Sequence, residues 1–261
     1  MTGTAPFPAE RTAVVTGAGS RRGIGRATAE RLARQGWSVA ILDVDGEAAP
    51  AAAAEIGEAV RNSAVTVIGI ATDVADEQSV DAAILQVEAT LPAVVALVNV
   101  AGVSSPVAFL DLTTAEWDRV FDVNLRGTFF VTRRVARGMV DRRLGRIVSL
   151  SSISAQRGGG TYSKVPYSAA KAGIIGFTRA LARELGPHGV TVNCIAPGPV
   201  DTDIMGGALT DERKREMTVG MPVGRVGTAA EIAALLVFLC GADAGYITAA
   251  TYDINGGLQV S

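Results

Sequence analysis

The chain has 261 residues, enough to bury the core of one large domain, and 24 Lys and Arg against 26 Asp and Glu leave a net charge of −2. So even a balance offers no basic surface to nucleic acid or to an anionic membrane. No apolar run reaches the ~18 residues of a membrane span, and residues 1–11 lack the basic and apolar regions of a signal peptide, so they read as a tail. Cys194 and Cys240 sit in apolar surroundings and read as reduced core thiols of a cytoplasmic protein. The single histidine, His188, follows Gly186-Pro187 and reads as a loop residue. With one histidine and no cysteine cluster, neither a Ser-His-Asp hydrolase nor a metal site is expected.

Short β-branched runs alternate with longer helical patterns. Strands are expected at 13–16, 37–42, 65–71, 94–98, 146–150, 190–196 and 250–254. Helices are expected at 23–35, 46–61, 76–90, 113–140 (broken near Asn124–Gly127), 165–185 and 229–240. Pro50 suits the first turn of its helix, where a missing N–H costs nothing. This alternation predicts a single-domain, Rossmann-type α/β fold over 12–261, a doubly wound parallel sheet of about seven strands with helices on both faces. Ligands then belong at the carboxyl ends of the strands. The one long irregular stretch, 198–228, is rich in Gly, Pro and Met and reads as a substrate lid, with Met205, Met217 and Met221 as candidate contacts.

The first strand runs into Thr16-Gly17-Ala18-Gly19-Ser20-Arg21-Arg22-Gly23-Ile24-Gly25. Glycines permit a tight turn and close approach of backbone amides to a pyrophosphate, and the following helix offers its positive end. Asp43 closes the second strand, 18 residues after Gly25. A carboxylate there accepts hydrogen bonds from the adenosine ribose and repels a 2′-phosphate, which favours NAD over NADP. Arg21 and Arg22 argue the other way, since a guanidinium can grip that phosphate, and Asp45 is a rival for the role of Asp43.

Tyr167 and Lys171 are four residues apart on an expected helix, which places phenol and ammonium on one face. A neighbouring cation favours the phenolate, so the pair reads as a proton-transfer group. Ser151, Ser152 and Ser154 lie at the exit of the fifth strand. Tyr162 is a rival tyrosine, but Pro166 stands where its lysine would be.

These motifs, in this order, resemble the short-chain dehydrogenase/reductase family along nearly the whole chain, its 3-oxoacyl-carrier-protein-reductase-like branch in particular. The resemblance implies that Gly17, Arg22, Gly23, Ile24 and Gly25 form the cofactor turn, which here has two more residues than the common pattern. It implies that Asp43 selects the cofactor, that Asp73 and Val74 contact adenine, and that Asn99, Ala101 and Gly102 form the cofactor wall. Pro197, Gly198, Val200 and Thr202 match the segment that holds the nicotinamide carboxamide. Tyr167 and Lys171 match the family's Tyr-x-x-x-Lys and also border the cofactor. Asn124 matches the residue supporting a water chain to the lysine, although bonding to local backbone would explain it equally. Aligning the strand selects Ser152, 15 residues before Tyr167; the more usual gap selects Ser154, 13 residues before it. The implied activity is hydride transfer between NAD(H) and a secondary alcohol or ketone, or alternatively NADPH-dependent ketone reduction, 3-oxoacyl thioesters included. A homotetramer packed through 113–140 and 165–185 is also implied.

Residues 154–166, 103–110 and 200–221 are expected to line a partly apolar pocket for a small-molecule substrate. No arginine is obviously placed in the sequence to grip a substrate carboxylate. Arg126, Arg133, Arg134, Arg137, Arg142 and Arg143 read as a solvated helix face rather than as a dock for an acidic carrier protein.

Overall fold

The computed structural model describes residues 7–61, 64–205 and 207–259. The start of the expected tail, the Met205 side chain and Gly206 lie outside the described residues.

Seven strands form one parallel sheet: β1 (Thr12–Thr16), β2 (Ser38–Asp43), β3 (Val67–Ala71), β4 (Val94–Asn99), β5 (Gly145–Leu150), β6 (Val190–Pro197) and β7 (Thr251–Ile254), in the spatial order β3-β2-β1-β4-β5-β6-β7. β1, β4, β5 and β6 are buried along their full length, which is why they are mostly apolar and do not alternate with charged residues, and their few polar side chains, such as Asn99 and Asn193, are hydrogen-bonded inside. One face carries α1 (Ile24–Arg34), α2 (Ala48–Val60) and the C-terminal α9 (Ala229–Cys240). The other carries α3 (Glu77–Thr90), the α4–α5 helix and α7 (Val165–Leu185). Strand order reverses between β1 and β4, and a crevice opens there at the carboxyl ends of both strands.

The expected break in the long helix is a π-turn. α4 (Thr114–Phe121) passes through Asp122–Arg126 into α5 (Gly127–Arg142). The stretch expected to be irregular carries a two-turn helix, α8 (Asp211–Met217), capped by the Thr210 side chain on Arg213 N. A further short helix, α6 (Ser154–Arg157), follows β5. The tail also departs from expectation, because Phe7 packs edge-on against Trp37 at 5.7 Å and the Arg11 guanidinium lies 4.6 Å over that indole. Cys194 and Cys240 are buried free thiols. No helix among the described residues is long and apolar enough to cross a membrane.

Candidate active site

β1 delivers Gly17 into the turn at φ +64°, a conformation that suits glycine. Gly25, in the first turn of α1, packs beneath it so closely that a Cβ would lie 2.3 Å from the Gly17 carbonyl oxygen. Thr16 Oγ1 accepts hydrogen bonds from Val100 N and Ala101 N at 3.0 and 3.1 Å, fixing the exit of β4 against the exit of β1. The groove between them holds a cavity of about 500 Å³ lined by Gly17, Gly23, Ile24, Asp43, Asp73, Val74, Ala101, Gly102 and Thr202, among others. Asp43 accepts from Gly19 N at 2.8 Å, while Asp45 is occupied in capping α2 through Glu47 N and Ala48 N. Asp43, not Asp45, faces the groove.

Three residues expected at the cofactor sit elsewhere. Asn99 is buried in the sheet and donates to Thr132 and Ser149, because its amide satisfies hydroxyl groups on neighbouring elements. Gly25 supports the turn from below. Arg22 is not among the residues lining the groove and pairs with Asp201 and Asp203, and Ser20 Oγ donates to Asp203 at 2.7 Å. The inserted residues of the turn therefore tie it to the 198–228 segment. Arg21 pairs with Glu55 on α2.

The second cluster lies at the end of β5. Tyr167 and Lys171, one helical turn apart on α7, are both buried. Lys171 Nζ lies 5.6 Å from the Tyr167 ring centre and donates to the Leu150 carbonyl at 2.8 Å. Burial pushes the phenol up to about 12, opposed by a hydrogen bond with the Ser152 hydroxyl, and pulls the lysine down to about 8. The lowered phenol expected from a neighbouring lysine is thus absent in the chain by itself, because removal from water outweighs the cation. Ser152 Oγ also accepts from Ser154 N at 3.1 Å, which places Ser154 behind Ser152 on the backbone turn. Both serines line a cavity of about 370 Å³ with Tyr167, Pro197, Gly198, Val200 and Thr202.

Asn124 lies in the π-turn, fully buried. Its amide donates to Val103 O and Val120 O, both at 2.8 Å, and its Oδ1 meets no donor among the described residues. A Cβ on Gly102 would lie 2.7 Å from Asn124 Oδ1 and 3.4 Å from Lys171 Nζ. Glycine at 102 therefore keeps open the space where the amide oxygen and the ammonium converge.

Comparison with known proteins places this geometry. The sequence model of a family described as enoyl-(acyl carrier protein) reductase matches residues 17–259. An uncharacterized short-chain type dehydrogenase/reductase of Sinorhizobium fredii is 40% identical, over 96% of this chain and 98% of the relative. The 3-oxoacyl-acyl-carrier-protein reductase FabG of Aquifex aeolicus is 40% identical over 92% and 94%. The dehydrogenase subunit BbsD of Thauera aromatica, named for a hydroxy(phenyl)methylsuccinyl-CoA substrate, is 38% identical over 95% and 96%.

The chain belongs to the short-chain dehydrogenase/reductase family. As a member of this oxidoreductase family it has the two parts such an enzyme needs, a groove fit for a dinucleotide and a buried tyrosine–lysine pair beside it. The close backbone approach at Gly17, the side chains of Asn124 and Lys171 close to Gly102, and an Asn124 oxygen with no partner among the described residues fit a bound cofactor and a polar relay. Ser104, Arg157 and Glu216 of this cavity fall within the ranges expected to line the pocket, whereas Ile153 and Leu258 line it from outside them and sequence reasoning missed both. Tyr162, a rival to Tyr167 in the sequence and part of the expected 154–166 lining, lines the cavity with the Arg213 guanidinium 4.7 Å over its ring. No single motif marks these residues, because loops far apart in the chain bring them together. Of the basic series, Arg126, Arg133 and Arg134 pair with acidic side chains, and Arg142 and Arg143 donate to carbonyls.

Proposed function

We propose that this protein transfers a hydride between NAD(H) and a secondary alcohol or ketone, with Tyr167 as general acid and base. The observation that carries the reading is the buried Tyr167 phenol, bonded to Ser152 and beside Lys171, in a cavity adjoining the nucleotide groove. A nicotinamide bound there supplies the hydride acceptor or donor. Ser152 Oγ donates a hydrogen bond to the substrate oxygen, and Tyr167 Oη takes the alcohol proton in oxidation and returns it in reduction. Lys171 favours the phenolate, and the Asn124 oxygen steadies the relay by which the proton leaves. The 198–228 segment acts as the lid over both cavities, and the enzyme works as a homotetramer in the cytoplasm.

Two observations support NAD. Asp43 presents a carboxylate to the groove, and the two arginines that would welcome a 2′-phosphate are engaged with Glu55, Asp201 and Asp203. The names of the FabG relatives favour a second reading, reduction of 3-oxoacyl thioesters with NADPH. Titration of the protein with NADH and NADPH, read by nicotinamide fluorescence, separates the two. Tighter NADH supports the first reading, and Asp43→Asn should then narrow the gap. Tighter NADPH overturns it in favour of the second.

A further inference from the structure

Arg157 closes α6, five residues beyond Ser152, and its side chain lines the same cavity as Ser152 and Tyr167. Nine arginines of this chain are held in ion pairs among the described residues, including every one of the cofactor turn, and Arg157 is not among them. The rest of the cavity wall is apolar or hydroxylic, apart from Glu216 on α8. Glu216 and Arg157 face the same space without forming an ion pair within 4.0 Å.

The rim that carries Arg157 is fixed. Gly158 and Gly159 turn the chain at φ +89° and +90°, and Gly160 N donates to Ser163 O at 2.8 Å. Ser104 Oγ holds the Tyr162 carbonyl at 2.6 Å, and Arg213 covers the Tyr162 ring from α8. Two guanidinium groups thus approach one side of the cavity, Arg157 directly and Arg213 behind the tyrosine.

In the open cavity Arg157 is hydrated. A ligand filling the cavity covers that guanidinium, and a neutral ligand would strip its water without replacing the interaction. An anion replaces it, with the planar fork of arginine matching a carboxylate. Glu216 on the opposite element repels a dianion more strongly than a monoanion, which favours carboxylate over phosphate.

We propose that the substrate of this dehydrogenase carries a carboxylate remote from its reacting oxygen, and that Arg157 binds it. The proposal rests on Ser152 and Tyr167 holding the reacting end. Arg157 is then a specificity residue, which distinguishes an oxo or hydroxy acid from the equivalent neutral alcohol.

The test compares hexanoate with hexanamide, equal in size and different in charge, by ligand-observed NMR on the whole chain with and without NADH. The wild type should bind hexanoate at least about threefold more tightly, on the scale between an exposed ion pair and a charged hydrogen bond. Arg157→Gln, at an exposed position that leaves the fold intact, should bring the ratio to about one. A wild-type ratio under threefold, or a ratio that survives in Arg157→Gln, overturns the proposal. Because the assay needs no turnover, Tyr167→Phe should keep the preference. Failure of the hydride-transfer reading would therefore show in that variant's activity and in the NADH titration, not here.

Discussion

The phenol of Tyr167 should stay protonated far above neutral pH until a second positive charge joins Lys171. Its pKa of about 12, against the ordinary value of about 10, corresponds to about 3 kcal/mol against the phenolate. Lys171 Nζ, 5.6 Å from the ring centre, does not overcome this burial, so the phenol starts above its ordinary range. Bringing it from about 12 to neutrality is worth about 7 kcal/mol, which the positive charge of a bound oxidised cofactor must help to supply. The assay is the phenolate absorbance of the folded protein as pH rises, taken as the difference between wild type and Tyr167→Phe to remove the other three tyrosines. Without cofactor, no Tyr167 signal should rise near neutral pH. With NAD, whose oxidised ring is cationic, the signal should move to lower pH. A Tyr167 titration near neutrality in the protein alone would refute the reasoning, since burial would then not govern this phenol. Absence of any movement on adding NAD would refute the acid–base assignment.

Ser152→Ala should lower kcat about a hundredfold or more, as loss of an oxyanion donor does. Ser154→Ala should lower it far less, and the reverse order in steady-state kinetics would transfer the role to Ser154. Arg22→Gln should release the turn from Asp201 and Asp203 and speed NADH dissociation about two- to fivefold in stopped flow. Added salt should have the same effect on the wild type, and an unchanged rate would show that this contact does not restrain the groove. Lys171 titrates at about 8 when folded and near its ordinary value of about 10.4 when unfolded. Between these values the unfolded chain holds the extra proton, so this group makes stability rise with pH there, by about 2 kcal/mol, and contributes no slope below 8. Urea denaturation at both ends of that window should show the rise in wild type and its loss in Lys171→Met. Equal slopes would mean that the ammonium is not desolvated.

Much of the architecture is local in origin and therefore legible in the chain. Strands buried on both faces must be mostly apolar, and β1, β4 and β6 appear at their expected places within a residue or two. The break at Asn124–Gly127 is visible because a polar residue and a glycine interrupt an apolar helix, and the structure resolves it as a π-turn. α6 and α8 escaped notice because one- and two-turn helices carry too few residues to show a period.

The sequence by itself determined the parallel α/β fold, the glycine turn and the facing of Tyr167 and Lys171, because each rests on short-range geometry. Only the tertiary structure decided that Arg22 ties the turn to the far segment and that Asn99 is spent inside the sheet. It also gave Asp43 the groove while Asp45 caps a helix, and set Arg157 in the cavity of Ser152 and Tyr167 without an ion-pair partner among the described residues. These are questions of which partner a polar group meets and how much water it keeps. Both depend on elements up to 183 residues apart that meet only when the sheet has closed.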